Sequence, residues 1–293
     1  MASTLARRAR QNPWATCAVG HSIVRALKRA GRPRPWAEAS PAFLFPDQGP
    51  QHLHMGRALF GRFSTFREWV LRSDRVYRDV VGWSLIEDDG LFGVQRGALW
   101  EANSRWSTLH ILPALTVVQV GLVDLLRSLG LRPQAMLAHS AGETAMTYVV
   151  AVRLSVIRAG LMPQTEAEGA GMIAVACSSR RASKLMHALS LSLDIAAING
   201  PEAVTLAGKR VILDSFRAQA VAQDVQCTML RTNVAVHSSF MEPLRERLVA
   251  QVKELFAAHG LDKGQIRHQA SIDVFSSTVR EDAFHGPFDC DFW

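Results

Sequence analysis

The chain has 293 residues, 48% hydrophobic and 20% charged, which is enough apolar material for one large core and excludes a disordered segment as the default. The net charge of +7, from 33 Lys and Arg against 26 Asp and Glu, suits an anionic small molecule or an acidic partner, and the lack of an aromatic-interleaved basic stripe argues against nucleic acid. Cys17, Cys177, Cys227 and Cys290 have neither metal-type spacing nor disulfide-scaffold density; this points to a reducing, cytoplasmic setting with no bound metal, and no apolar run reads as a membrane span.

The first 41 residues read as the edge of something else. Ala15 to Gly20 is a short strand pattern and Ile23 to Ala30 a helical one. Gly31-Arg32-Pro33-Arg34-Pro35 then breaks regular structure as a linker does. Met1 to Gln11 carries arginines and no acid, a composition also found in targeting segments.

From Pro41 the pattern becomes that of a folded body. Ala42 to Phe45, bounded by prolines, predicts a buried strand, and Met55 to Tyr77 predicts helices. Ser107 to Leu129 is a long apolar-periodic helix, expected to bend near Pro113. Gln134 to Ala138 is a strand that runs into His139-Ser140-Ala141-Gly142-Glu143 and a helical pattern. Next, Met172–Cys177, Asp194–Ile198, Ala203–Leu206 and Val225–Leu230 read as strands, with helices at Ser179–Leu191 and Lys209–Ala222. The order β-α-β-β-α-β predicts a ferredoxin-like unit. Pro243 to Ala258 is an amphipathic helix with Leu244, Leu248, Val252 and Leu255 on one face, and Ser271 to Phe275 a last strand.

Two residues stand out chemically. A serine between a short strand and a helix, with small neighbours Ala138 and Gly142, has the form of a nucleophile elbow. The competing reading of Ser140 is a helix N-cap. A serine nucleophile needs a base. Of ten histidines, His237 sits where the apolar run Val234-Ala235-Val236 meets a helix start. By themselves these residues indicate serine-dependent acyl chemistry. A hydrolase with a Ser-His-Asp triad remains an alternative, with Asp194, Asp214 and Asp224 as the acids lying between serine and histidine.

Several segments in order resemble one family. These are Phe43 to Gln51 with Met55-Gly56, then His139 to Glu143, Gly171 to Val175, Ala197 to Pro201, Val204 to Gly208 and Val236 to Met241. Asp289, Asp291, Phe292 and Trp293 complete the set. Together they resemble acyltransferase domains of type I polyketide and fatty-acid synthases and malonyl-CoA:carrier-protein transacylases, in a style similar to fungal iterative polyketide synthases. The resemblance runs from about residue 42 to the last residue.

The resemblance implies an α/β acyltransferase fold. A parallel-sheet, α/β-hydrolase-like large subdomain (42–168 and 232–293) would carry an inserted ferredoxin-like subdomain (169–231). Residues 1–41 would be the remnant of a linker from a ketosynthase domain. It implies Ser140 as nucleophile and His237 as base, the latter oriented by backbone carbonyls near Ser276 to Thr278. It implies an oxyanion hole from the N–H groups of Gln48 and Ala141, Arg158 as partner of a substrate carboxylate, and Asn199 and Val236 in the substrate pocket. The substrate would be an acyl-CoA, above all malonyl-CoA, and the acceptor the phosphopantetheine thiol of an acyl carrier protein, with no cofactor bound. A non-catalytic remnant of such a domain is the other reading.

The sequence departs from that pattern in three places. The stretch from Ser140 to Arg158 is shorter by about two helical turns, so either the connection is rebuilt or Arg158 misses the site. Asp47 stands where the family has glycine. The family also continues past the position of Trp293 with further core elements, which implies an incomplete domain.

Overall fold

The computed structural model describes residues 14–15, 34–35, 41–49, 51–52, 54–92, 107–148, 150–163, 169–261, 272–278 and 292. Contacts divide the chain into two units, Met1–Pro41 and Ala42–Trp293. In the first, β1 (Trp14–Ala15) and β2 (Arg34–Pro35) form a short antiparallel pair. The helix read over Ile23–Ala30 lies outside the described residues.

The second unit begins with β3 (Ala42–Phe45). The helices predicted next are α1 (Arg57–Arg62) and α2 (Ser64–Val81), parted at Phe63, which is extended at φ −120°, ψ 116°. Helix α3 (Thr108–Ser128) is capped by Ser107, whose hydroxyl accepts the Leu109 N–H, and contains Pro113 in its second turn. By length and composition alone α3 is long and apolar enough to cross a membrane, where no such run was expected; two-thirds of its apolar window (67%) is buried in the fold. Its Ile111, Val117 and Val118 pack with Phe66, Val70 and Tyr77 of α2 in the largest core.

Strand β4 (Ala135–Ala138) leads to α4 (Ala141–Met146) and α5 (Ala151–Leu161). The insert follows as β5 (Ala170–Val175), α6 (Ser179–Ala188), β6 (Asp194–Gly200), β7 (Ala203–Lys209), α7 (Arg210–Val221) and β8 (Cys227–Met229). Its antiparallel sheet has the order β6-β7-β5-β8. Ile173, Leu206, Leu213 and Phe216 fill a separate core beneath it. This is the ferredoxin-like arrangement read from the strand and helix order. The amphipathic helix expected from Pro243 is a 3₁₀ turn (Ser239–Leu244) followed by α8 (Arg245–Ala258). Pro243 falls in the 3₁₀ turn, at the entrance to α8, where a proline is tolerated. Strand β9 (Asp273–Ser276) is the last among the described residues.

β3, β4 and β9 form a parallel sheet with β4 in the centre, and Phe45, Ala138 and Ser276 stand in one register row. All three strands therefore end at the same edge, where ligands of open α/β sheets bind. The loops that leave this edge carry Asp47 and Gln48, His139 and Ser140, and Ser277 and Thr278.

Phe45 is buried against Val120, Ala145 and Ala151, but β3 is not a buried strand, because Leu44 is 67% exposed. Leu44, Leu137 and Phe275 align across the sheet and all three are exposed. The helices described here cover one face of the sheet, whereas a fully apolar strand pattern had implied two.

Candidate active site

Ser140 sits between the last residue of β4 and the first of α4 at φ 49°, ψ −108°, a region that non-glycine residues occupy only when their surroundings impose it. Three features impose it. The His139 N–H donates to the Phe45 carbonyl at 3.0 Å, tying the turn to β3. The Ser140 N–H donates to Ser277 Oγ at 3.2 Å. Gly142 lets α4 cross over β3, since a Cβ there would lie 2.0 Å from the Phe45 oxygen.

Ser140 occupies the N-cap position of α4, but its hydroxyl makes no capping bond. It lies instead 2.6 Å from His237 Nε2, where a serine O–H donates to a neutral imidazole. His237 is itself at φ 57°. It follows the buried triplet Val234, Ala235 and Val236, and the turn is closed by Ser238 Oγ donating to the Ala235 carbonyl at 2.6 Å. The imidazole faces an open cavity but is packed by protein elsewhere. That desolvation, followed by the positive charge of Arg158, pushes its pKa below the ordinary 6.5, while Asp47 and Glu143 oppose the shift and His139 adds to it. His237 is thus unprotonated at neutral pH, as a general base must be.

The pair opens on a cavity of about 540 Å³. Gln48, Ser140, Val236 and His237 line it, together with Met172 and Asn199 from the insert's β5 and β6. Asn199 is fixed by donating from Nδ2 to Thr205 Oγ1 at 2.9 Å. A strained serine, a histidine against its hydroxyl and a small-molecule-sized cleft meet here, an arrangement that suits covalent acyl chemistry.

The segment matching the family model described as "Acyl transferase domain" runs over residues 42–281. The chain belongs to the acyl transferase domain family. It is 33% identical over 273 residues to a highly reducing polyketide synthase of Strobilurus tenacellus, a match that covers 88% of this chain and 10% of that protein. The chain spans about a tenth of the length of such relatives. Among solved structures it resembles the acyltransferase domain from the second module of the salinomycin polyketide synthase, with TM-score 0.75 and 26% identity, covering 98% of this chain and 67% of that one. Malonyl-CoA:acyl carrier protein transacylase from Helicobacter pylori shares the fold, with TM-score 0.66 and 22% identity over 86% of this chain and 76% of that one.

Within this acyl transferase domain the connection from Ser140 to Arg158 runs through α4, a turn and α5. Helices α4 and α5 are joined by a turn in which Tyr148 takes φ 46°, a conformation that usually falls to glycine. Partners hold Tyr148 there: its hydroxyl donates to Asp124, and its ring stacks on Trp69 at 5.5 Å. Arg158 is thereby carried back toward α4, where its guanidinium donates to Thr144 Oγ1. It does not line the cavity as Asn199 and Val236 do, but its charge reaches His237. Glu143 and Asp47 are the anions nearest to Arg158 in effect, opposing the fall in its pKa that burial causes.

The predicted role of Ser276 to Thr278 changes. None of the three is bonded to the imidazole. They gather on Glu143, a carboxylate only 4% exposed. Its Oε1 accepts from Ser276 Oγ (3.0 Å), Ser277 N–H (2.8 Å) and Ser277 Oγ (2.6 Å), and its Oε2 accepts from Thr278 Oγ1 (3.3 Å). Glu143 therefore locks the end of β9 to α4. Gln119 plays a similar part, donating from Nε2 to the Pro46 carbonyl at 2.9 Å. Thr144, Glu143 and Gln119 carry no local sequence signal for these contacts. Of the triad acids considered, Asp194 accepts from Ser239 N–H and Oγ, at 2.9 and 2.8 Å, rather than from His237. Asp289, Asp291 and Trp293 lie outside the described residues.

Proposed function

We propose that this domain transfers an acyl group, malonyl in particular, from CoA to the phosphopantetheine thiol of an acyl carrier protein in polyketide or fatty-acid synthesis. The observation that carries the reading is the 2.6 Å contact of Ser140 Oγ with His237 Nε2 at the wall of the cavity. Ser140 Oγ attacks the thioester carbonyl carbon as its proton passes to His237 Nε2. The tetrahedral intermediate collapses, the C–S bond breaks, and His237 returns the proton to the CoA sulfur. The carrier thiol then attacks acyl-Ser140 by the same steps in reverse. The N–H groups of Gln48 and Ala141 are the proposed oxyanion donors. The domain needs no cofactor of its own, and phosphopantetheine belongs to the carrier partner. A cytoplasmic parent synthase with a ketosynthase domain beside residues 1–41 completes the proposal.

Arg158 is the proposed partner of the malonyl carboxylate, a role that suits a planar guanidinium. Arg158→Ala should lower the rate of Ser140 acylation by malonyl-CoA about 10- to 100-fold relative to acetyl-CoA, the scale of one charged hydrogen-bonded pair. A second readout is independent of substrate charge. Arg158 depresses the His237 pKa, so its removal raises that pKa. The acid limb of the acetyl-CoA rate profile should move to higher pH. Parallel profiles and an unchanged malonyl-to-acetyl ratio would remove Arg158 from the site.

A further inference from the structure

Asp47 leaves the C-terminal end of β3 and turns toward the start of α4. Its Oδ1 accepts the Ala141 N–H at 3.2 Å, and its Oδ2 lies 3.7 Å from His139 Nδ1. At an elbow serine, the N–H of the following residue is an oxyanion donor. The Asp47 carboxylate therefore stands on an N–H that a tetrahedral intermediate at Ser140 would need. The side chain is also placed to leave. It is 32% exposed, it lines the cavity beside Gln48 and Gly49, and Gly49 at φ 139° follows two residues later. Asp47 itself has no positive φ, so the aspartate in place of glycine adds a charge here rather than backbone strain.

We propose that Asp47 is a built-in occupant of the oxyanion site, which must release the Ala141 N–H before an acyl group reacts at Ser140 and so holds the acylation rate down. This rests on the acyl-transfer reading above. The physical reason is competition. One N–H cannot serve a carboxylate and an oxyanion together, and a fixed negative charge beside the hole disfavours the second negative charge that the intermediate develops. Asp47 also acts on the base. It raises the His237 pKa, against burial, Arg158 and His139, with Glu143 acting in the same direction as Asp47.

The test uses a fluorophosphonate serine probe, whose P=O group needs the same hole but which requires neither CoA nor carrier protein. Ser140 Oγ forms the O–P bond, fluoride leaves, and the serine proton passes through His237 to water. Labelling is followed by intact mass in the parent chain, Asp47→Gly and Asp47→Asn, with Ser140→Ala as the blank. Asp47→Gly should label at least ~10-fold faster, since one oxyanion donor is worth about 10²–10³ in rate. Asp47→Asn, which keeps the shape and removes the charge, should fall between. In both variants the acid limb of labelling should move to lower pH. Equal or slower labelling in folded Asp47→Asn and Asp47→Gly overturns the proposal, and the isosteric Asn variant keeps the test decisive where Gly fails to fold. Malonyl-CoA acylation with no gain in either variant would sink this inference alone. Faster probe labelling with no malonyl adduct would sink the malonyl reading alone.

Discussion

His237→Asn should acylate Ser140 about 10²–10⁴-fold more slowly than the parent chain, the range expected for loss of a positioned general base. The Ser140 hydroxyl has His237 Nε2 at 2.6 Å. Asparagine is the informative substitution because position 237 is left-handed at φ 57°. Asparagine tolerates that backbone, whereas alanine adds strain of about 1–2 kcal/mol that would confuse the result. The thermal midpoint should stay close to the parent's while the rate of adduct formation, followed by intact mass, collapses. A His237→Asn chain that acylates within threefold of the parent would show that the base is another group.

Gly142→Ala should damage fold and site together. The added Cβ would meet the Phe45 carbonyl oxygen at 2.0 Å, its carbon at 2.5 Å and the Pro46 oxygen at 2.9 Å. These are backbone atoms and cannot rotate aside. The Phe45 oxygen also accepts the His139 N–H that tethers the turn. Overpacking plus a lost hydrogen bond costs about 3 kcal/mol or more, which corresponds to a fall of about 6–12 °C in thermal midpoint for a domain of this size. Gly160→Ala is the control. Nothing lies within 4 Å of a Cβ at that helical position, so it should be neutral or stabilising by about 0.4–1 kcal/mol. Equal midpoints for the two variants in a melting experiment would contradict the close crossing of α4 over β3.

Much of this architecture was legible in local pattern. Short apolar runs ending in turn residues marked β3, β4 and the four strands of the insert, and the alternation of the insert's strands and helices was enough to recover its topology. The small-Ser-small pattern at Ala138, Ser140 and Gly142 marked the elbow, because the steric demand acts on adjacent residues. What escaped was non-local. Glu143 and Ser277 are 134 positions apart and Ala141 and Asp47 are 94 apart; only the sheet brings them together. The shortened connection could not reveal that Tyr148 would take the glycine-like turn, since its Trp69 and Asp124 partners come from α2 and α3. The exposure of Leu44 was hidden for a related reason. An apolar strand reads the same whether one face or both are covered, and the described helices cover one.

Acylation of Ser140, in a site completed by His237 and the cavity beside them, can be read from the intact mass of the purified chain after incubation with malonyl-CoA, beside Ser140→Ala and with acetyl-CoA as a second donor. A malonyl-sized increase is expected on the parent chain and not on Ser140→Ala, with the acetyl adduct forming more slowly. A folded parent chain with no adduct from either donor, or an adduct that persists in Ser140→Ala, would contradict it.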